Sequence, residues 1–273
     1  MRTIAHLFKD HLPDPIKRTF LAAKAIPGKQ LRARLTQDYL FPGGFKRIYF
    51  FHIRKTAGTS VNQAFFGVCG EGGKEVQDSI IQSNRGWGIV GNYVFVIHNK
   101  YLAESGDYYY AYSHAPIHEF RLPPNTFTIT CLRDPVKRVI SHYRNLMHYR
   151  MNNTGKRILR QEGSWLGGSF SDFLDNIPAA HLMRQIYMFS RSFDIDEAVQ
   201  NIVNLNFVMF TEDFANGLNE LSERLDLTLE LYHGKSEYDP VQVGDEEEKR
   251  LRDMLEPEYR LLRRVKAHVA RRT

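Results

Sequence analysis

Short apolar runs and longer periodic segments alternate along the chain and predict an α/β protein. The apolar runs are rich in β-branched and aromatic residues, as is typical of buried strands. These strand-like runs cover residues 46–53, 93–98, 108–114, 126–132 and 206–211. Because helical segments separate them, we expect a central, mostly parallel sheet flanked by helices on both faces.

The helices are predicted from apolar spacing and from residues that favour a helix start. A long helix should begin at Pro135, because Asp134 can cap it and proline is favoured at the first helical position. After the acidic residues 244–248, a last pair of helices is expected, broken at Pro257. Further helical patterns cover residues 61–66, 169–177, 181–189, 194–204 and 214–225.

Two stretches and the N-terminal part complete the predicted organisation. Residues 67–92 contain nine glycines or asparagines and predict a loop with short elements. Residues 150–168 are polar and glycine-rich, which predicts a mobile surface loop. Residues 1–45 begin with apolar positions at helical spacing and predict a helical extension, followed by one domain over residues 46–273.

Charge changes this picture only at the two ends. The formal net charge of +6 divides into +7 for residues 1–47, +6 for residues 249–273 and −7 for the rest. Basic ends suit an anionic partner such as nucleic acid, a membrane surface or a polyanion. Because both ends also show apolar periodicity, solvated amphipathic helices explain the charge better, and we expect no nucleic-acid partner.

The composition restricts the classes of protein to which this chain can belong. The 273 residues are 42% hydrophobic and 25% charged, as in an ordinary globular enzyme. No apolar run approaches the roughly 20 residues that a membrane span needs. Cys69 and Cys131 give neither a disulfide framework nor zinc spacing. We therefore expect a cytoplasmic protein without a transmembrane segment.

Residues 50–66, FFHIRKTAGTSVNQAFF, combine a strand end, a tight loop and a helix start. Such a turn directs backbone N–H groups and the helix dipole at one point, which favours a bound anion. Gly58 lets the backbone approach a ligand, and Lys55 adds a full charge. The hydroxyl groups of Thr56, Thr59 and Ser60 add donors. A capped strand–helix turn with an exposed lysine is the alternative.

This loop differs from the Walker A loop of nucleoside-triphosphate kinases. That motif places its lysine after the glycine, at the helix start. Here Lys55 precedes Gly58, and no later strand ends in an acidic residue that would hold Mg²⁺. An ordinary kinase is therefore disfavoured.

Residues 128–146, TITCLRDPVKRVISHYRNL, repeat the same design. A predicted buried strand ends at Arg133, and Ser141 lies about two helical turns beyond it. Arg133 offers a bidentate fork and Ser141 a single donor, which together could hold a second phosphate. His142 sits beside Ser141 on the helix, so we expect its side chain to point away from this site.

The two motifs, in this order and roughly 75 residues apart, resemble those of sulfotransferases that use 3′-phosphoadenosine 5′-phosphosulfate (PAPS). The likeness is greatest to the carbohydrate branch, which includes the uronyl 2-O-sulfotransferases and their bacterial relatives. It extends from about residue 46 to about residue 265. The resemblance implies a P-loop-kinase-like sulfotransferase fold, a bacterial source, PAPS as donor, 3′-phosphoadenosine 5′-phosphate (PAP) as product and no required metal.

The resemblance also implies roles for individual residues. His52 to Ser60 correspond to the family's 5′-phosphosulfate loop, and Arg133 to Tyr143 to its 3′-phosphate motif. Lys235 and Ser236 correspond to a late loop that closes over the nucleotide. The implied nucleotide contacts are Arg54, Lys55, Thr56, Ala57, Gly58, Thr59, Ser60, Arg133, Ser141, Lys235 and Ser236.

The implied catalytic residues are His114, as the base that takes the acceptor proton, and Lys55, which stabilises the leaving group. A buried histidine bonded to a carbonyl is the alternative for His114, and His52 is interpreted as structural. Tyr112 and Arg184 are candidate acceptor contacts, although packing explains both equally well. The same choice applies to Gln185.

The sequence departs from the family pattern near the acceptor side. Arg54 stands where the family often has proline, Ser113 replaces a glycine, and Tyr112 replaces a possible second histidine. We expect sulfation of a hydroxyl, with a glycan as the first choice. The alternatives are O- or N-sulfation of a small-molecule natural product, or nucleotide binding without transfer.

Overall fold

The computed structural model describes Thr19, residues 28–232 and residues 242–271. The strands are β1 (Arg47–Phe51), β2 (Trp87–Val90), β3 (Tyr93–Ile97), β4 (Tyr110–Ser113), β5 (Thr126–Leu132) and β6 (Phe207–Phe210). The helices before β5 are α1 (Lys29–Thr36), α2 (Gly58–Gly67), α3 (Gly73–Ser83) and α4 (Lys100–Ser105). Those after it are α5 (Pro135–Met151), α6 (Lys156–Glu162), α7 (Phe170–Asn176), α8 (Ala179–Leu182), α9 (Arg184–Tyr187), α10 (Ile195–Val203), α11 (Phe214–Leu225), α12 (Asp245–Met254) and α13 (Glu256–Val269).

The six strands form one sheet in the order β2-β3-β4-β1-β5-β6. Every neighbouring pair is parallel except β2 and β3. Side chains of β1 alternate between the two faces, since Ile48 and Phe50 join one apolar cluster while Tyr49 and Phe51 join the other. The predicted α/β architecture, with a mostly parallel sheet between helices, is confirmed.

The predicted start of the long helix is also confirmed. α5 begins at Pro135, and the Asp134 carboxylate accepts a hydrogen bond from the Lys137 backbone N–H at 2.9 Å. The last two helices separate at Leu255, and Pro257 lies in the first turn of α13. Proline is tolerated there because the first N–H groups of a helix have no partner within the helix.

The prediction of a loop with short elements over residues 67–92 is only partly right, because α3, a helix of 11 residues, and β2 occupy most of this stretch. Val76 and Ile80, four residues apart, are buried on one face of α3. Gly73 allows α3 to approach α2, since a Cβ there would lie 2.1 Å from the Gln63 carbonyl oxygen. The glycine content of this stretch therefore reflects close helix packing as well as turns.

The predicted mobile loop over residues 150–168 is wrong. α6 lies within it, a short 3₁₀ helix follows, and Trp165 and Leu166 are buried in the cluster beneath α5. Most of the predicted N-terminal extension lies outside the described residues, so the domain boundary at residue 45 stays a prediction. Among the described helices, none combines the length and the apolar character needed to cross a membrane.

Candidate functional site

A cleft of about 820 Å³ opens at the carboxyl ends of the strands. β1 lies between β4 and β5, so the chain leaves β1 toward one side of the sheet and later returns to the other. Such a switch point is where open α/β sheets bind ligands. The lining includes His52, Arg54, Lys55, Ala57, Gly58, Thr59, Ser60, Gln63, Lys74, His98, His114, Arg133, Lys137, Ser141, His142, Asn145, Tyr149, Ile158, Thr211, Glu212 and Tyr232.

The loop between β1 and α2 is tightly wound. Lys55 and Ala57 both adopt left-handed backbone conformations, with φ of 70° and 56°. A non-glycine residue rarely takes this conformation, and it is found where surrounding structure or function imposes it. The loop thereby brings the N-terminus of α2 to the cleft, where Thr59 and Ser60 are accessible.

Gly58 has a packing role that the motif alone does not reveal. A Cβ at this position would lie 1.9 Å from Nε2 of His52, whose ring occupies the space beneath the loop. Burial, followed by the charges of His98, Arg54 and Lys55, lowers the pKa of His52 to about 3, so the ring is neutral. These contacts agree with the structural role predicted for His52.

The hydroxyl group of Thr56 does not face the cleft, contrary to the expectation that it would serve a ligand. Thr56 is fully buried, and its Oγ1 donates to the Ile53 carbonyl oxygen at 2.9 Å. This bond holds the loop closed. Any contact of Thr56 with an anion is therefore restricted to its backbone N–H.

Lys55 lies beside Arg133 at the base of the cleft. Nη1 of Arg133 donates to the Lys55 carbonyl oxygen at 3.0 Å and joins the ends of β1 and β5. Burial, and then the positive charges of Arg133 and Arg54, lower the pKa of Lys55 to about 8. The lining of the cleft includes more cationic side chains than carboxylates, even though Glu162 pairs with Arg54, and this excess of positive charge favours a bound anion.

A buried network fixes the backbone of Arg133. The Gln185 side chain accepts from the Arg133 N–H at 2.9 Å and donates to the Arg133 carbonyl oxygen at 3.0 Å. Glu258 of α13, which is fully buried, accepts from the Gln185 backbone N–H at 2.6 Å and from its side-chain amide at 3.0 Å. Gln185 was a candidate acceptor contact or a packing residue, and these contacts support the packing role.

The second half of the cleft lies along α5. Ser141 faces it together with Lys137, Asn145 and Tyr149, which follow one another at four-residue spacing on one side of the helix. Glu212 closes this side, because its Oε1 accepts from the Asp134 backbone N–H at 2.8 Å. The structure therefore brings Arg133 and Ser141 into the same cleft as the loop after β1.

His114 follows β4 and is half-buried at the cleft wall. Its Nδ1 lies 2.7 Å from the His52 carbonyl oxygen. A carbonyl oxygen only accepts, so Nδ1 carries the proton and Nε2 carries the lone pair. Burial, followed by the charges of His52, His98 and Arg54, lowers the pKa of His114 well below its usual value. The ring is therefore neutral at pH 7.

Three histidines stand at the ends of adjacent parallel strands. His98 follows β3, His114 follows β4 and His52 follows β1. The ring centroid of His114 lies 4.4 Å from that of His52 and 4.8 Å from that of His98. His98 was not among the predicted site residues, although each of these strand-like runs has a histidine at its last or last-but-one position and parallel strands align such ends.

Other predicted site residues lie outside the cleft or outside the described residues. Tyr112 is buried, and its hydroxyl accepts from Nε2 of Gln77 at 2.7 Å, so its contacts are with the core. Arg184 lies in a smaller adjoining cavity. By contrast, the expectation that His142 points away from the site is wrong, because His142 is buried and lines both the cleft and this cavity. Lys235 and Ser236 lie outside the described residues.

Most of the chain matches a known family of proteins. Residues 41–250 match the model of a family described as the Sulfotransferase family. The chain belongs to the sulfotransferase family. No curated protein gives a significant match to it. The six-stranded, mostly parallel sheet with flanking helices is the fold expected for this family, and the fold prediction is confirmed on both grounds.

Proposed function

We propose that this sulfotransferase takes its sulfuryl group from PAPS and transfers it to a hydroxyl group of a glycan. Family membership supports sulfuryl transfer in general. The main support for PAPS as the donor is that two cationic turns, at the ends of β1 and β5, face one cleft. PAPS has two anionic groups, and the resemblance to the carbohydrate branch supports a glycan acceptor.

The loop after β1 would hold the 5′-phosphosulfate. Lys55 stands at its base, and the N–H groups and hydroxyls at the start of α2 face the same space. As the bond from sulfur to the bridging oxygen breaks, negative charge develops on that oxygen. A lysine already in place stabilises such charge without reorganisation. Arg133 and Ser141 would hold the 3′-phosphate.

His114 would act as the base. Its Nε2 lone pair is free to accept the proton of the acceptor hydroxyl, because Nδ1–H is committed to the His52 carbonyl. The attacking oxygen then bonds to sulfur while PAP leaves. Lys55 and Arg133 supply the positive charge that a metal would otherwise provide, so the proposed mechanism needs no metal.

Calorimetric titration with PAP tests the nucleotide site. We expect wild type to bind without added metal, and Lys55→Ala and Arg133→Gln each to weaken binding by about 10- to 100-fold, the range for a charged hydrogen bond. Lys249→Ala and Arg260→Gln are matched controls, since both residues are exposed on the last two helices. Both controls should bind like wild type.

His114→Gln separates binding from transfer. The variant should bind PAP like wild type but lose transfer from PAPS by about 100-fold or more, as removal of a general base does. Full transfer activity in this variant would exclude His114 as the base. Failure of wild type to bind PAP would reject the proposed donor.

A further inference from the structure

Three side chains that can ligate a metal ion meet where α5, α6 and α8 come together. They are His142 of α5, Glu162 at the end of α6 and His181 of α8, and we name them the His-Glu-His cluster. One ligand atom from each lies within 4.8 Å of the other two. Among the residues that the structure describes, no other group of three histidine, cysteine or acidic side chains has this geometry.

Two members of the cluster have buried polar atoms that make no hydrogen bond within the described part of the chain. His142 and Glu162 are each 3% exposed, and the atoms are both ring nitrogens of His142 and Oε2 of Glu162. Nε2 of His142 lies 3.1 Å from Oε2 of Glu162, but the two are not aligned as donor and acceptor. Because buried polar atoms of native proteins are nearly always satisfied, these two point to a ligand that both can bind.

The distances suit a zinc ion. Zinc is bound tetrahedrally by nitrogen and oxygen ligands at about 2.0–2.1 Å, so two of its ligand atoms stand about 3.3–3.4 Å apart. The 3.1 Å between His142 and Glu162 is close to that separation. The ligand atom of His181, which lies within 4.8 Å of the others, would approach by about 1.5 Å at most. His181 is half-buried on a helix of only four residues, so little regular structure opposes that movement.

The ion pair of Glu162 with Arg54 is compatible with a metal. Nη1 of Arg54 donates to Oε1 of Glu162, whereas Oε2 is the oxygen that faces His142. Carboxylates that ligate metals are commonly held by a hydrogen bond from outside the coordination shell, which fixes their orientation. Arg54 would be that outer partner, and Glu162 would bind the ion through Oε2 alone.

Positive charge is the main argument against a cation here. Three arginines, Arg54, Arg138 and Arg184, line the same cavity of about 60 Å³ as the two histidines of the cluster. Two of these charges are offset, since Arg54 pairs with Glu162 and Nε of Arg138 lies 3.7 Å from a buried carboxylate of α13. The excess is therefore one charge rather than three.

The fourth coordination position of the ion answers this argument. Two histidines and one glutamate fill three positions of a tetrahedral zinc site and leave one open, and zinc lowers the pKa of a water bound there to about 7. The cavity has room for such a water, which needs about 10–15 Å³. Bound as hydroxide, it would accept hydrogen bonds from the arginine N–H groups. The surrounding positive charge would then stabilise the loaded site.

The types of ligand select among the common cations. Mg²⁺ and Ca²⁺ prefer six or more oxygen ligands, which this cluster does not offer. Imidazole nitrogens suit zinc and the other late transition metals. Of these ions, zinc is the one for which two histidines and one carboxylate with an open position form a common set.

We infer that the His-Glu-His cluster binds one Zn²⁺ ion through His142, Glu162 and His181, with water or hydroxide as the fourth ligand. The ion would fasten α6 and α8 to α5. It takes no part in the proposed transfer step, which needs no metal, so the inference goes beyond the proposed function and does not depend on it.

Zinc binding to the full chain, prepared without an affinity tag, tests the inference. The protein is dialysed against a chelator and then titrated with Zn²⁺ in competition with a chromophoric chelator. We expect one equivalent to bind per chain. With free zinc at about 100 times its Kd, the midpoint of thermal unfolding should rise by about 5 °C, because a ligand of the folded state stabilises it by mass action.

Co²⁺ in place of zinc reports the coordination directly. A tetrahedral site gives Co²⁺ a far stronger visible absorption than the octahedral ion has in water. We therefore expect strong visible bands when the zinc-free protein is titrated with Co²⁺, and we expect Zn²⁺ to remove them.

Substitution of His181, the least buried ligand, locates the site. His181→Gln should weaken Zn²⁺ binding by about 100-fold or more, since loss of an outer-shell partner alone costs about 10- to 100-fold. His181→Cys should retain zinc, because a thiolate is also a zinc ligand, and should add a sulfur-to-cobalt charge-transfer band with Co²⁺. His148→Gln, on α5 but outside the cluster, is the matched control and should bind like wild type.

Three results would overturn the inference. They are no binding of zinc by wild type at micromolar concentration, equal zinc affinity in wild type and His181→Gln, and a Co²⁺ spectrum like that of the ion in water. If His181→Gln does not fold, the charge-transfer band of His181→Cys decides the location of the site. PAP binding is measured separately, and its failure would reject the proposed function while leaving the zinc site in place.

Discussion

Lys55 offers the most direct test of the electrostatics of the cleft. It lies between Arg54 and Arg133, and burial together with these charges lowers its pKa to about 8. An anion bound in the cleft would reverse this effect and raise the pKa again. The lysine is therefore half neutral near pH 8 in the free protein and charged in the complex.

The protein should take up a proton at Lys55 when it binds PAP above pH 8. Because the free protein loses the Lys55 proton as the pH rises through about 8, affinity should fall by up to about tenfold per pH unit above that value. Below pH 7 this group contributes no pH dependence, since it is charged in both states. Calorimetry at pH 8.5 in two buffers of different ionisation enthalpy measures the uptake directly.

Lys55→Arg is the control for this prediction, because arginine stays charged over the whole range. Its PAP affinity should be nearly independent of pH between 7 and 9. If Lys55→Arg takes up as many protons as wild type on PAP binding, another group must be responsible for the uptake.

Gly58→Ala should damage the site through His52. The added Cβ would lie 1.9 Å from the His52 ring, and overpacking of this kind costs about 1–3 kcal/mol of stability. Displacement of the ring or loop should also weaken PAP binding by about tenfold or more, equivalent to about 1.4 kcal/mol. Thermal unfolding and calorimetry measure the two effects.

Gly67→Ala is a control in the same helix. A Cβ at Gly67 meets no atom within 4 Å, so this change should be neutral or stabilise the protein by up to about 1 kcal/mol. The double variant Gly58→Ala with His52→Ala should recover part of the lost stability. A Gly58→Ala protein as stable as wild type would show that the loop accommodates the extra carbon.

At the scale of elements, α13 is attached to the site through Glu258. Glu258→Gln would leave Arg138 buried without its counter-ion and weaken the bonds to Gln185, which hold Arg133. Breaking a buried pair in this way costs about 3–5 kcal/mol. We expect that loss in chemical denaturation, together with weaker PAP binding.

Glu256→Gln is the matched control, two residues away on the same helix. Its ion pair with Arg263 joins side chains that are 56% and 62% exposed, and exposed pairs contribute less than about 1 kcal/mol. Equal effects of the two substitutions would contradict a special role for Glu258.

Elements with strong local signals could be predicted from the sequence, and elements without them could not. The buried strands and the start of α5 follow from apolar runs, from Asp134 and from Pro135. α3 and α6 were missed because glycines and polar residues dominate their segments. What makes them helices is packing against α2 and α5, which depends on residues distant in the sequence.

At the scale of the whole molecule, the sheet is most stable at its centre. β1 and β5 each have a parallel partner on both sides, whereas β2 lies at the edge of the described sheet and pairs there only with β3. Amides of β1 and β5 should therefore exchange hydrogen only on global unfolding, and those of β2 should exchange about 100-fold faster or more.

Hydrogen exchange with PAP added extends this prediction to the site. Protection should rise in residues 54–60 and 133–141, which surround the cleft, and stay unchanged in β2. Uniform protection across the sheet would contradict a single localised site.

The candidate site was predictable where its residues are contiguous in sequence. Two motifs located Lys55 and Arg133, and the resemblance to the sulfotransferases pointed to His114. The partners that position them come from far along the chain, as Gln185 and Glu258 do for Arg133. The small cavity lined by Arg54, Arg138, His142, His181 and Arg184 escaped prediction for the same reason, since the loop after β1, α5, α8 and α9 meet there only after folding.

The bond between Glu258 and Gln185 has a consequence for synthesis on the ribosome. The loop after β1 and the turn after β5 are translated early, but the support of Arg133 is incomplete until α13 has left the exit tunnel. A nascent chain that stops before residue 258 would contain the loop after β1 and Arg133 but would lack the carboxylate that holds Gln185 against Arg133. The support of Arg133 that we propose to matter for donor binding would thus be complete only late in translation.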